Sequence, residues 1–126
     1  MTDVLIIEDN ADNARILTYA LERAGLRVRH ARTGEDGLDQ IRARRPDLVV
    51  MDIGLPGIDG IETTRRLRAF EPKLPVVAIT SFAMKGDREQ VLAAGCNGYL
   101  EKPFDPITVV ENILTFVEAA HESSDR

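Results

Sequence analysis

The chain has 126 residues, 16 basic and 21 acidic, and the resulting net charge of -5 argues against nonspecific binding to nucleic acid. Its 44% hydrophobic and 29% charged residues exclude a disordered chain, and its length fits one domain with a proper core. The lone Cys96 excludes an internal disulfide and reads as a packing residue, while His30 and His121 stand in unrelated contexts and supply no zinc-type ligand set.

The first element is "DVLIIE" (3 to 8), nearly continuous in apolar residues, as a strand covered on both faces must be. No basic n-region precedes it, and its apolar run is far too short for a signal peptide or a membrane span, so a cytoplasmic protein without membrane insertion is expected. Asn10 then caps a predicted helix to Gly25, with Ile16, Leu17, Ala20, Leu21 and Ala24 on one face. "RVRHA" (27 to 31) is mixed in polarity and reads as an edge strand. Thr33 with Asp36 opens a second helix toward Arg44, and "DLVVMD" (47 to 52) is a third, buried strand.

Asp59 with Glu62 forms a capping box for a third helix through about Phe70. Its Arg65, Arg66 and Arg68 read as a solvated face. "PVVAIT" (75 to 80) is a fourth strand, and a fourth helix is expected over 85 to 94, ending at Gly95. "GYLEK" (98 to 102) follows as a fifth strand. A last helix runs over 106 to 120 with Ile107, Val110, Ile113, Leu114 and Val117 inward, before a frayed tail, 121 to 126. Strand and helix alternate five times, which predicts one α/β domain over 1 to 120, a parallel sheet with helices on both faces.

In such a sheet ligands bind outside the carboxyl ends of the strands, where the strand order reverses. Read together, those ends carry Glu8 and Asp9, Asp52, Thr80, and Lys102 followed by Pro103. Each alone reads as a turn, a cap or a surface charge; four strand ends with complementary chemistry do not arise by accident. Clustered carboxylates without His or Cys call for a hard cation such as Mg²⁺, held by Asp9 and Asp52 with open positions for phosphoryl oxygens. Lys102 and the Thr80 hydroxyl can meet further oxygens. The lack of a Walker-type or Gly-rich phosphate loop argues against a nucleotide as donor or resident ligand, and leaves Asp52 as the expected acceptor, a carboxylate nucleophile.

The stretches "IIEDN", "DLVVMDIGLPGIDG", "VVAITSFA" and "GYLEKPF" resemble, in order and spacing, the receiver domain of two-component response regulators over 3 to about 120. The resemblance implies a flavodoxin-like (βα)5 fold with strand order 2-1-3-4-5, the fold for which this order and its switch point between strands one and three are known. It implies that Asp52 takes a phosphoryl group from a phosphohistidine on a sensor histidine kinase or a histidine phosphotransfer protein. Asp9 and Asp52 would ligate Mg²⁺ directly, Glu8 mainly through water, and the backbone carbonyl of Gly54 would be a further ligand. Lys102 would contact the phosphoryl group, with a cis bond to Pro103. Thr80 and Tyr99 would form the switch pair. Ser81, beside the pocket, would bear on dephosphorylation. Phe104 and the surface of helix four, strand five and helix five would face a downstream protein target, and the first helix around Asn13, Ile16 and Leu17 would meet the phosphodonor.

The region from "SFAMKGDREQ" to "GYLEKPF" is also similar to single-domain cell-division regulators and to receivers attached to hybrid histidine kinases. The expected function is therefore a single-domain phosphoacceptor switch acting through protein partners, without direct nucleic-acid binding and not an enzyme in the turnover sense. A receiver cut from a larger hybrid kinase or regulator is the alternative. An aspartyl-phosphate hydrolase would need a second Asp two residues after the nucleophile as general acid, where this chain has Gly54.

Overall fold

The structure is a computed structural model that describes residues 2 to 80, 87 to 102 and 105 to 124, with Asp87 and residues 119 to 124 described by their backbone alone. Five strands, β1 (Asp3–Ile7), β2 (Arg27–Ala31), β3 (Leu48–Asp52), β4 (Val76–Thr80) and β5 (Gly98–Glu101), alternate with five helices. These are α1 (Ala11–Arg23), α2 (Gly34–Ala43), α3 (Gly60–Arg68), α4 (Asp87–Ala93) and α5 (Pro106–Ser124). All strand pairs are parallel and the order is β2-β1-β3-β4-β5, the expected flavodoxin-like arrangement.

The apolar runs of β1, β3 and β4 are buried at every position because they serve two cores at once. Val4, Ile6, Leu48, Val50, Val77 and Ile79 pack with Leu17 and Leu21 of α1 and with Val109, Ile113 and Val117 of α5. The alternate residues, Leu5, Ile7, Val49, Met51, Val76 and Ala78, pack with Leu38 and Ile41 of α2, Leu67 of α3 and Val91 of α4. Strand β2 lies at the edge and is only partly covered, as its mixed composition predicts. Cys96 is buried in the second of these cores, in the packing role expected of it.

The three N-caps form as the sequence predicts, whereas the acids of the two expected boxes pair within their helices, Glu62 accepting from Arg66 at 2.9 Å and Asp36 from Gln40 at 3.2 Å. Asn10 Oδ1, Thr33 Oγ1 and Asp59 Oδ1 accept from the backbone N–H three residues on, at 3.0, 3.0 and 2.8 Å. Gly25 and Gly95 follow α1 and α4 with φ of 90° and 114°, a region a glycine enters without strain.

Four details differ from the periodicity reading. Ile16 and Ile107, expected inward, are 46% and 70% exposed. Val109 takes the inward place on α5. Both exposed residues flank the groove where α1 meets α5, so they face the neighbouring helix rather than the sheet. Helix α5 continues to Ser124, beyond the expected end at Ala120, because no proline or glycine interrupts "HESS". Finally, Arg68 is no solvated charge: its guanidinium donates to Gly95 O at 2.9 and 2.7 Å, to Asn97 Oδ1 at 2.9 Å and to Glu71 O at 2.8 Å. It ties the end of α3 to the turn before β5, whereas Arg65 and Arg66 remain exposed beside Glu62. The start expected for the fourth helix, together with Ser81, Pro103 and Phe104, lies outside the described residues.

Candidate functional site

Backbone hydrogen bonds between neighbouring strands bring the carboxyl ends of the sheet to one edge. Glu8 N donates to Ala31 O at 3.0 Å, Ile53 N to Ile79 O at 3.0 Å and Lys102 N to Thr80 O at 2.7 Å. The side chains that follow β1 and β5 and that end β3 are thereby delivered to one cavity of about 230 Å³, lined by Glu8, Asp9, Asn10, Asn13, Asp52, Gly54 and Lys102. Thr80 ends β4 and is buried, and Tyr99 is half-buried on β5 against the core beneath α4.

Glu8 and Asp52 are 2% and 6% exposed, while Asp9 faces solvent. One oxygen from each of the three lies within 4.8 Å of the others. Lys102 Nζ stands 3.3 Å from Glu8 Oε1 and 3.6 Å from Asp52 Oδ1, so one ammonium serves two buried carboxylates. Asp52 Oδ1 also accepts from the backbone N–H of Gly54 at 3.0 Å. This bond orients Asp52, and among the described residues a Cβ at Gly54 would meet that oxygen alone, at 3.8 Å, which leaves room beside Gly54.

A single ammonium does not balance three acids. Burial, then hydrogen bonding and repulsion from Asp52, push the Glu8 carboxyl up from its ordinary 4.5 to about 7, against the opposing pull of Asn13 and Lys102. A group of hard oxygens held in that state has the chemistry of a divalent-cation site, and a bound cation would supply the missing charge.

His30, which supplies no zinc-type ligand, bonds instead to the backbone that carries Glu8. Nε2 lies 2.7 Å from the carbonyl oxygen of Glu8, and because a carbonyl only accepts, Nε2 carries the proton. Parallel pairing of β1 with β2 sets Ile6 opposite His30, a register that no local pattern specifies. Asn13, expected at the donor-facing surface, donates from Nδ2 to Glu8 Oε1 at 3.1 Å. Leu17, named with it, is 1% exposed and belongs to the core. The exposed face of α1 instead presents Ile16 and Tyr19, which with Ile107 of α5 border an apolar groove of about 660 Å³.

Comparison with known proteins agrees with this geometry. Residues 4 to 114 match the family model of the response regulator receiver domain. The polar-differentiation response regulator DivK of Brucella anthropi is 38% identical over 116 residues, covering 90% of this chain and 94% of that one. DivK of Brucella ovis matches to the same extent. Among solved structures, a CheY-like receiver domain protein from Methanospirillum hungatei superposes with a TM-score of 0.93 at 25% identity, covering 98% of both chains. A response regulator from Chloroflexus aurantiacus does so at 0.88 and 34% identity, covering 93% of this chain and 98% of that one. The chain belongs to the response regulator receiver domain family of two-component signalling.

Proposed function

We propose that this receiver is a phosphoacceptor whose nucleophile is Asp52 and whose cation is Mg²⁺. The observation that carries the reading is the buried Asp52 carboxylate, oriented by Gly54 N–H, 3.6 Å from Lys102 Nζ and within reach of Glu8 and Asp9. A carboxylate oxygen of Asp52 attacks the phosphorus of a phosphohistidine. The O–P bond forms as the N–P bond breaks, and the electron pair leaves on the imidazole nitrogen. Lys102 meets the negative charge of the incoming phosphoryl oxygens, and the open space at Gly54 admits the donor. Asp9 and Asp52 would hold Mg²⁺ directly, with Glu8 through water and the Gly54 carbonyl as a further ligand, and the ion would add positive charge beside those oxygens.

Thr80, at the end of β4, and Tyr99, on β5, are the pair through which phosphorylation reaches the surface of α4, β5 and α5, where a downstream protein binds. The donor, a sensor histidine kinase or histidine phosphotransfer protein, docks along α1, whose first turn lines the site and whose exposed Ile16 and Tyr19 offer apolar contact. Because the output is a changed protein surface, the chain acts as a stoichiometric switch in the cytoplasm and not as a turnover enzyme. Among the described residues no helix is long and apolar enough to cross a membrane. The reading of the unit as a piece of a longer protein draws on NtrX of Brucella abortus, in which 98% of this chain matches 29% of that one at a TM-score of 0.88.

Intact mass after incubation with Mg²⁺ and acetyl phosphate tests the reading. One phosphoryl adduct is expected for the native chain and none for Asp52→Asn or without Mg²⁺. An adduct that survives Asp52→Asn removes Asp52 from the role, and no adduct from acetyl phosphate or a phosphohistidine donor removes the function.

A further inference from the structure

We infer that Asn13 is a positioning residue of the cation site, whose side-chain amide holds the Glu8 carboxylate in place through its Nδ2 bond to Oε1. This assignment rests on the reading of Glu8, Asp9 and Asp52 as a Mg²⁺ site. Asn13 is the third residue of α1, and its backbone N–H is already taken by the cap, donating to Asn10 Oδ1 at 3.0 Å. In a capping box the side chain at this place reaches back to the cap backbone. Here it turns to Glu8 instead, at 3.1 Å, on the same oxygen that Lys102 approaches at 3.3 Å.

The two donors to Glu8 differ in one respect. Lys102 also faces Asp52, at 3.6 Å, and a phosphoryl group on Asp52 would draw the ammonium toward its oxygens. Glu8 is too buried to replace a lost donor with bulk water, so a donor that does not change partners is needed to keep its orientation. Asn13 fills that need because it is rooted in a capped helix and its side chain bonds to Glu8, with no bond to Asp52 among the described residues. A side chain that orients a metal-binding carboxylate typically changes metal affinity 10- to 100-fold when removed.

The test is Mg²⁺ binding to the full chain by calorimetry at pH 8, comparing the native protein with Asn13→Leu, which keeps the bulk without a donor, and Asn13→Gln, which restores an amide. Asn13→Leu is expected to weaken Mg²⁺ about tenfold or more, with Asn13→Gln recovering most of the loss. Native-like affinity in Asn13→Leu would overturn the assignment, as would equal weakening in Leu and Gln variants, which marks a helix defect. If the affinities follow expectation while the native chain takes up no phosphoryl group, the phosphoacceptor reading fails and the role of Asn13 in cation binding stands.

Discussion

In the absence of metal, Asp52→Asn should make the protein more stable at pH 8 and should do little at pH 5. The reason lies in Glu8, which burial and then Asp52 raise from 4.5 to about 7. Between those values the folded chain holds a proton that the unfolded chain has lost, so stability falls as pH rises through this window. At about 1.4 kcal/mol per unit, the shift corresponds to roughly 3 kcal/mol of site destabilisation at pH 8, present only without a cation. Burial is the largest cause and survives the substitution, so Asp52→Asn removes only the part that hydrogen bonding and repulsion from Asp52 add. In Asp52→Asn the amide oxygen still accepts from Gly54 N–H and faces Lys102, and the new NH₂ can donate to Glu8. Urea denaturation followed by circular dichroism in EDTA at pH 5 and pH 8 gives the comparison directly. A variant no more stable than the native chain at pH 8, or an advantage that is the same at both pH values, would refute the account of Glu8 and Asp52 as repelling neighbours.

The site and the helices that support it set three further outcomes. Mg²⁺ binding to the native chain should release about one proton at pH 6 and far less at pH 8.5, because Glu8 must ionise to accept the cation; calorimetry in buffers of different ionisation enthalpy reads the number. Gly60→Ala should cost about 2–3 kcal/mol and slow phosphorylation, because its Cβ would meet backbone atoms of Asp52 and Ile53, the Asp52 carbonyl oxygen most closely. Thermal melting and the uptake assay together check it, and a native-like melt would show that α3 shifts freely against the end of β3. Asp59→Ala should lower stability by about 1 kcal/mol through loss of the 2.8 Å cap to Glu62 N, without changing Mg²⁺ affinity.

Local patterns in the sequence determined a great deal. The continuous apolar runs that became β1, β3 and β4, the three capping residues Asn10, Thr33 and Asp59, and the stops at Gly25 and Gly95 are decided by a few neighbouring side chains, so they are legible before any folding. Strand alternation then requires a doubly wound sheet, and a doubly wound sheet collects its strand ends. For that reason Glu8, Asp9, Asp52, Thr80 and Lys102 could be read as one group although 94 positions separate Glu8 from Lys102. The remaining features depend on how elements approach one another. Ile16 and Ile107 are apolar yet exposed, because α1 and α5 meet beside them and leave a groove; helical periodicity locates a face but not its neighbour. Arg68 belongs to a solvated row by composition and to the turn at Gly95 by packing. His30 and Asn13 reach Glu8 only through the β1–β2 register and the angle at which α1 leaves the sheet, and no spacing along the chain encodes either of those.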